Sequence, residues 1–361
     1  MYDLTRSGPA RMGRNRVGRC VVNQTSTETT EAERFRPAAG VTAAASEAVA
    51  SISRVASRVR ENISRVIVGK ESVIELVLVA LLSEGHILLE DVPGLGKTML
   101  AKSIARSIDC SFKRIQFTPD LIPSDVSGIN FFNQRSAEFQ FRPGPIFAQI
   151  VLADEINRAT PRTQSALLEA MEERQLTVEG VTMPLPLPFL VIATQNPIEL
   201  EGTFPLPEAQ LDRFLLRLKL GYPEGGEERA ILDRFDQVSP LLDLPAVANA
   251  AELADGARGV TLVYCEPVVR NYIVQVVQAT RRHTGLELGA SPRASLALFR
   301  AARARAAVQG RAFVLPDDVK VLAPYVLPHR LILSSSARLR GRDTTAIVQE
   351  LLESVPVPVT E

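Results

Sequence analysis

The 361-residue chain contains few of the residues that build metal centres and disulfides. It has three cysteines and three histidines, and none stands at a spacing typical of metal ligands or of a disulfide framework. We therefore expect reduced thiols and assign no chemistry to the histidines. These six residues are Cys20, Cys110, Cys265, His86, His283 and His329.

Net charge and long apolar runs are also absent. The sequence balances 41 basic with 41 acidic side chains, so it does not predict bulk attraction to nucleic acid. The most apolar segment, 72–82, is interrupted by Glu75 and is shorter than the roughly 18 residues that a membrane span needs. We expect no membrane span and a cytoplasmic protein, long enough for two folded domains.

Residues 1–46 differ in composition from the rest of the chain. Several arginines precede a Thr-, Glu- and Ala-rich stretch that has neither helical nor strand periodicity. We interpret this segment as a disordered N-terminal extension, or as the product of a start placed too far upstream. It lacks the apolar core of a secretory signal, and an organellar targeting peptide is the remaining alternative.

The most informative segment is Asp91–Thr98, of sequence DVPGLGKT, between an apolar strand at 86–90 and an amphipathic helix at 98–108. A glycine loop between a strand and a helix that begins with Gly-Lys-Thr is typical of sites that hold nucleotide phosphates. Lys97 is expected to neutralise the β- and γ-phosphates of ATP, and the hydroxyl of Thr98 to bind Mg²⁺.

The loop departs from the usual pattern at its first position, where Asp91 stands in place of glycine. Aspartate tolerates tight turns better than most residues, and the glycines that would face the phosphates are present. The expected nucleotide-binding residues of the loop are Pro93, Gly94, Leu95, Gly96, Lys97, Thr98 and Met99.

A second apolar strand, 150–154, ends in the acidic pair Asp154-Glu155. Asp154 is expected to help hold Mg²⁺, and Glu155 to polarise the water that attacks the γ-phosphate. The alternative is a pair of acids that merely ends a strand at the surface. The presence of both acids favours hydrolysis, because a protein that only holds a nucleotide needs the first alone.

Strands and helices alternate over most of the chain, which predicts an α/β fold with a five-stranded, parallel, doubly wound sheet. A helix after the acids is expected to begin at Thr160-Pro161, with Ala166, Leu167, Ala170 and Met171 inward. The predicted strands are 86–90, 114–117, 150–154, 189–194 and 214–220. The predicted domains are a nucleotide-binding domain at 47–222, an all-α lid at 223–340 and a C-terminal tail at 341–361.

Two insertions interrupt the alternation. Residues 119–145 contain a hydrophobic ribbon, and residues 175–183 predict a hairpin with a Glu179-Gly180 turn. They are either plain surface loops or, in a ring-shaped motor, elements that grip a partner.

Two polar residues near the ends of predicted strands are further candidates. Asn196, at the end of the fourth strand, is expected to orient the attacking water; an asparagine that starts a turn before proline is the alternative. Arg213, just before the last strand, is positioned to reach the nucleotide of a neighbouring subunit as an arginine finger. Its alternative is a surface salt bridge with Asp212.

Five long segments give the chain a family resemblance. The segments are Phe117–Asp125, Arg142–Phe147, Leu152–Ala159, Ala193–Glu199 and Leu206–Phe214. With them the chain resembles the MoxR family of AAA+ ATPases over about residues 48–335.

This resemblance implies an AAA+ P-loop ATPase that uses ATP and Mg²⁺ and forms a homo-oligomeric ring, expected to be a hexamer. It also implies chaperone-like remodelling, maturation or metal or cofactor insertion of partner proteins, often proteins with a von Willebrand factor A domain. Within the segment Gly289–Arg293, the resemblance makes Arg293 a second sensor of the γ-phosphate in its own chain. An exposed arginine at a helix start is the alternative. The resemblance places Val68 and Gly69 beside the adenine.

Other function classes stay open at this stage. They are a nucleotide-gated assembly adaptor with incidental turnover, a magnesium-chelatase-like motor subunit, and a ring motor on nucleic acid, which the neutral charge disfavours.

Overall fold

The computed structural model describes residues 41–196, 202–236 and 239–358. The strands are β1 (Ile87–Glu90), β2 (Phe112–Gln116), β3 (Gly128–Asn133), β4 (Glu138–Pro143), β5 (Ile150–Asp154), β6 (Gln175–Val178), β7 (Val181–Pro184), β8 (Leu190–Gln195), β9 (Leu216–Leu218), β10 (Leu286–Leu288) and β11 (Ile332–Leu333). The helices are α1 (Ala43–Ser64), α2 (Glu71–Leu82), α3 (Lys97–Ser107), α4 (Pro123–Ser127), α5 (Pro161–Glu173), α6 (Glu208–Leu211), α7 (Gly225–Arg234), α8 (Ala250–Val260), α9 (Pro267–Arg282), α10 (Pro292–Val308), α11 (Pro316–Val326), α12 (Ser335–Leu339) and α13 (Thr344–Ser354).

The predicted five-stranded parallel sheet is confirmed, with the order β2-β5-β8-β1-β9. Residues 150–153 of β5 are fully buried, as expected for a strand that has helices on both faces. Because β1, β8 and β5 are adjacent and parallel, the residues that follow them meet at one edge of the sheet. This edge brings together the glycine loop, Asn196 and the acidic pair.

Helix α5 begins where the sequence predicts, with Thr160 preceding Pro161. Leu167, Ala170 and Met171 are buried as expected, whereas Ala166 is only half-buried and Leu168 lies inside instead. The helix starts beside the acidic pair, and its 13 residues extend about 20 Å to the other end of the sheet.

Both insertions form antiparallel hairpins, β3–β4 and β6–β7. The second has the predicted two-residue turn, with positive φ at Glu179 (50°) and Gly180 (84°), as a type I′ turn requires. Asn130 Nδ2 of the first hairpin donates to Glu179 Oε2 of the second at 2.8 Å. The first hairpin exposes apolar side chains, and Phe139 is 74% exposed.

The C-terminal region is helical as predicted, and α9 buries Val269, Ile273, Val276 and Val277. The prediction of a C-terminal tail from residue 341 is wrong. Residues 344–354 form α13, which packs against α9 and α11 because its apolar residues recur on one face. The buried residues of α13 are Ile347, Val348, Leu351 and Leu352.

The N-terminal boundary also differs from the prediction. The expected extension, 1–46, lies outside the described residues except at its end, where α1 already begins at Ala43. Thr42 Oγ1 caps this helix by accepting from the backbone N–H of Ala45, a bond that satisfies one of the free amides at a helix start. Helices α1 and α2 pack against α8 and α10, which joins the N-terminal helices to the C-terminal region. Among the described helices, none combines the length and the apolar character that a membrane crossing requires.

Candidate nucleotide-binding site

The glycine loop follows β1 and leads directly into α3. Gly94 and Gly96 have positive φ, 88° and 85°, a conformation that residues with a Cβ rarely adopt. Lys97 begins the helix, and its Nζ donates to the backbone oxygen of Asp91 at 2.6 Å. The backbone thus curls around the start of a helix, where amide N–H groups and the helix dipole favour an anion.

Asp91 has a structural role that glycine cannot fill. Its buried carboxylate accepts hydrogen bonds from the backbone N–H groups of Leu220 and Gly221, which follow β9. These bonds tie the start of the loop to the neighbouring strand of the sheet. The departure from the usual pattern therefore anchors the loop.

Asp154, at the end of β5, is held on both carboxylate oxygens. Oδ1 accepts from Thr194 Oγ1, and Oδ2 accepts from Arg114 Nε at 3.0 Å and Nη2 at 2.6 Å. Thr194 Oγ1 also accepts the backbone N–H of Glu155 at 2.8 Å. One threonine hydroxyl thus fixes the two acids relative to each other.

Glu155 adopts a left-handed backbone conformation, with φ 57°. For a residue other than glycine this costs on the order of 1 kcal/mol or more, which the surrounding contacts must offset. Its Oε2 accepts from Gln116 Nε2 at 2.8 Å and pairs with Arg158 Nη1 at 3.3 Å. These contacts hold the carboxylate at the edge of the sheet.

The loop, the acids and Asn196 line one cleft of about 260 Å³. Burial lowers the pKa of Lys97, while the carboxylates of Asp91, Asp154 and Glu155 act in the opposite direction. The lining residues are Pro93, Gly94, Gly96, Lys97, Thr98, Met99, Arg114, Asp154, Glu155, Thr194 and Asn196.

The oxygen atoms in this cleft suit Mg²⁺. The Thr98 hydroxyl and the Asp154 carboxylate are hard donors, and Mg²⁺ commonly binds through one or two such groups together with substrate phosphates. In the described part of the chain, no group of three or more His, Cys, Asp or Glu residues forms a protein-only metal cage. The residues therefore fit a metal that arrives with a nucleotide.

An apolar cavity of about 260 Å³ adjoins the phosphate cleft and shares Gly94, Gly96 and Met99 with it. Val68 and Leu95 line this cavity, and its mainly apolar walls suit a nucleotide base. Gly69 is not among the lining residues; a Cβ there would lie 1.8 Å from Glu227 Oε1, so it permits close packing of α7. The remaining lining residues are Val66, Ile67, Lys70, Leu220, Gly221, Pro223, Ile231 and Phe235.

Arg213 and Arg293 lie together in a separate groove of about 300 Å³, which we call the arginine groove. Arg213 Nε is 3.9 Å from Glu172 Oε2, and Arg293 donates to Glu172 Oε1. Arg213 therefore faces Glu172, and not Asp212 as the salt-bridge alternative supposed. The groove is lined by Ser83, Glu84, Gly85, His86, Met171, Glu172, Arg174, Asp212, Arg213, Leu215, Arg293, Leu296, Ala297, Arg300 and Arg330.

This geometry corrects the expected placement of Arg293. The arginine groove is lined by residues that precede β1, such as Gly85, whereas the glycine loop follows β1. The four residues of β1 alone span about 13 Å, so the two sites lie at opposite ends of the strand. Arg293 does not approach the phosphate cleft of its own chain.

Comparisons with known proteins agree with this fold. The family model of the ATPase family associated with various cellular activities (AAA) matches residues 86–216, and that of the AAA lid domain matches residues 278–351. The chain is 52% identical over 299 residues to the uncharacterized protein YeaC of Bacillus subtilis, covering 83% of this chain and 93% of the relative. It is 43% identical over 309 residues to the chaperone MoxR1 of Mycobacterium tuberculosis, covering 82% and 80%. The chain belongs to the MoxR family of AAA+ ATPases.

A solved structure supports the same assignment. The crystal structure of a candidate ATPase from Cytophaga hutchinsonii superposes with a TM-score of 0.82 at 37% identity, covering 86% of this chain and 97% of that one. Membership of the MoxR family implies nucleotide binding and oligomerisation, and the family model of the lid includes most of α13, which was predicted to be a tail.

Sequence reasoning missed Arg114, Gln116 and Thr194 in this MoxR-family site. The sequence carries a signal for Arg114 and Gln116, because alternation along β2 places both side chains on one face of the sheet. In the structure, Gln116 is the register partner of Asp154. Thr194 was recognised only as part of a strand end. Glu172 had no local signal, since it lies at the end of a helix that appears merely amphipathic in the sequence.

Proposed function

We propose that this MoxR-family protein hydrolyses ATP with Mg²⁺ as a homo-oligomeric ring, with six subunits as the expected number. The single observation that supports this most strongly is the cleft at the edge of the sheet. It contains a cationic loop lysine, a hydroxyl, two strand-end carboxylates and an amide. These are the groups that phosphoryl transfer to water requires.

Each residue receives a role from its position. Lys97 binds the β- and γ-phosphates, and Thr98 and Asp154 hold Mg²⁺, which supplies charge neutralisation on the phosphates. Glu155 accepts a proton from the attacking water, and Asn196 orients that water. Val68, Leu95 and Met99 contact the adenine, and Gly69 shapes the loop beside it.

We propose that the arginines of the arginine groove act on the nucleotide of a neighbouring subunit. Arg213 is the arginine finger, and Arg293 acts beside it instead of in its own chain. Their shared contact with Glu172 and their separation from the loop by the length of β1 support this. An arginine supplied by a neighbour contributes roughly 10³–10⁵ to the rate in other phosphoryl-transfer proteins.

The two hairpins are the elements expected to transmit the cycle to a partner. They contact each other through Asn130 and Glu179, and β6–β7 is joined to the acidic pair by α5. Loss of the γ-phosphate would shift the contacts of Glu155 and so the start of α5. We propose that this movement remodels or matures partner proteins or inserts a metal or cofactor into them. Partners with a von Willebrand factor A domain are the first to test, and the cytoplasmic location stays a prediction.

The test is Glu155→Gln, with Glu169→Gln on the exposed face of α5 as the matched control. Glu155→Gln should retain ATP binding and lose turnover, because its amide cannot accept a proton from water. Glu169→Gln should retain both. Equal turnover in the two variants would contradict the assignment. Slow hydrolysis in the wild type, with strong ATP-dependent oligomerisation that Glu155→Gln leaves intact, would favour the assembly adaptor.

A further inference from the structure

Arg330 is a charged side chain in the interior of the protein. It follows α11 in a short helical turn, and only 4% of its side chain is exposed. Burial lowers the pKa of its guanidinium, and the adjacent carboxylate of Asp212 opposes that change. Burying a guanidinium costs free energy unless its N–H groups form hydrogen bonds. The hydrogen-bond partners of Arg330 therefore identify the segment that it stabilises.

The partners of Arg330 lie mainly in one short segment, 212–215, between α6 and β9. Nε donates to Asp212 Oδ1 at 2.7 Å. Nη2 donates to the backbone oxygen of Phe214 at 2.7 Å and to that of Asp212 at 3.3 Å, and Nη1 to that of Leu215 at 3.4 Å. Nη1 also donates to the backbone oxygen of Val326 in α11 and contacts Nε2 of the adjacent His329 at 2.6 Å. One guanidinium therefore fixes the segment that carries Arg213.

Asp212 links this buried contact to the arginine groove. Its other oxygen, Oδ2, is 3.8 Å from Arg293 Nη1, and Arg293 also donates to Glu172, which faces Arg213. The side chain of Arg293 is 51% exposed. Long exposed side chains sample many rotamers, and holding one in place costs entropy, so a fixed partner is needed to orient it.

We propose that Arg330 is the positioning residue for both neighbour-directed arginines. It fixes the segment around Arg213 directly and orients Arg293 through Asp212, without itself reaching a nucleotide. This inference rests on the proposed function, because it presumes that the arginine groove completes a neighbour's site.

The experiment measures ATP turnover of Arg330→Gln alone and in mixtures with Glu155→Gln subunits. Alone, the variant should lose roughly 10²-fold in turnover, a loss that a misplacement of about 1 Å caused by a distant mutation can produce. Its affinity for a fluorescent ATP analogue should stay within about twofold, because its own phosphate cleft is intact. In the mixture, Glu155→Gln neighbours supply correctly placed arginines to the Arg330→Gln sites, so turnover should return.

The control variant is Arg311→Gln. Arg311 is another lid arginine with a buried carboxylate partner, and within the described residues its side-chain hydrogen bonds go to Asp318 and Phe313 instead of 212–215. Arg311→Gln should retain wild-type turnover, provided that its thermal unfolding midpoint shows that the variant is folded. If Arg330→Gln does not fold, Asp212→Asn, at a part-exposed position, should give the same loss alone and the same recovery in the mixture.

A reference mixture of Arg213→Ala with Glu155→Gln subunits distinguishes a failure of the positioning role of Arg330 from a failure of the shared site. If that mixture recovers turnover and the Arg330→Gln or Asp212→Asn mixture does not, the inference is overturned and the shared site stands. If the reference mixture also fails, the shared site itself is overturned. Wild-type turnover in Arg330→Gln alone would overturn the inference directly.

Discussion

The two ends of strand β1 are organised in different ways. At its carboxyl end, the phosphate cleft is built from residues that the chain supplies in short local motifs, and these residues bond to one another. At its amino end, the arginine groove gathers Glu84, Glu172, Asp212 and Arg293 from distant parts of the sequence. The cleft gathers the lysine, hydroxyl, carboxylates and amide that we propose to act on a nucleotide, whereas the groove presents arginines at the opposite end of β1.

Under the proposed function, a single chain carries two halves of a divided site, one at each end of β1. Helix α5 begins near the acids at one end and reaches Glu172 at the other, so it connects the phosphate cleft with the arginine groove. We therefore propose that a change at Glu155 is transmitted through α5 to the arginines presented to the next subunit. Variants that disable the phosphate cleft and the arginine groove separately test whether the two sites have these different roles.

The largest expected effect is the loss of ATP turnover when the arginine groove is disabled. Arg213→Ala should lower turnover by roughly 10³–10⁵ and leave ATP affinity unchanged, because the finger contributes to the transition state at a neighbour's site. The matched control is Arg282→Ala, an exposed arginine at the end of α9, which should behave as wild type. Weaker ATP binding in Arg213→Ala would contradict a contribution that is confined to the transition state.

The next effect belongs to the cleft. Lys97→Ala should abolish measurable ATP binding, a loss of roughly 10²-fold or more, because it removes charge-assisted bonds to the phosphates. Isothermal titration with ATP measures this. Lys102→Ala, on the same helix but outside the cleft, is the control and should bind as wild type. Unchanged affinity in Lys97→Ala would remove the basis of the phosphate-loop assignment.

A smaller effect tests the unusual first position of the loop. Asp91→Gly introduces the common residue, yet it should lower the free energy of unfolding by about 2 kcal/mol, since two backbone N–H groups lose their acceptor. Asp91→Asn keeps one acceptor oxygen and should lose less. Urea denaturation distinguishes the three proteins. A gain in stability for the glycine variant would contradict the anchoring role.

The smallest expected effect is a pH dependence of stability that comes from two buried histidines at the arginine-groove end of β1. Burial lowers the pKa of His86 to about 4 and that of His329 well below its usual value. Because the unfolded chain then binds more protons, stability should fall as pH decreases from about 6.5 towards 4. Each histidine contributes at most about 1.4 kcal/mol per pH unit. Urea unfolding at pH 7 and pH 5.5 should show a smaller loss of stability in His86→Gln than in the wild type. An equal loss in the two proteins would exclude a contribution from His86.

The part of the fold that local patterns determine was predictable. Buried parallel strands produce apolar runs, so all five strands of the sheet were placed within a few residues of their observed positions. Helix α13 was missed although its apolar spacing is visible, because the stability of such a helix comes from the helices it packs against, which the local sequence does not show. The correction of Arg293 has the same origin, since only tertiary structure shows to which end of β1 the lid directs it.

The side chains that support the site were harder to predict than the residues they support. Most cleft residues stand in three short segments that follow or end β1, β5 and β8, and a phosphate loop predicts acids at the end of a second strand of the same sheet. Arg114 and Glu172 contact functional residues that lie far away in the sequence, at Asp154 and at Arg293. Their roles depend on the order of the strands and the length of a helix.

The most direct measurement of the divided site is ATP turnover per subunit as a function of protein concentration, for the wild type and Glu155→Gln. The account predicts that turnover per subunit rises steeply with concentration in the wild type and is absent in Glu155→Gln. Turnover that is independent of concentration, in protein shown by light scattering to be monomeric at the lowest concentrations, would mean that one chain carries its whole site and would contradict the account.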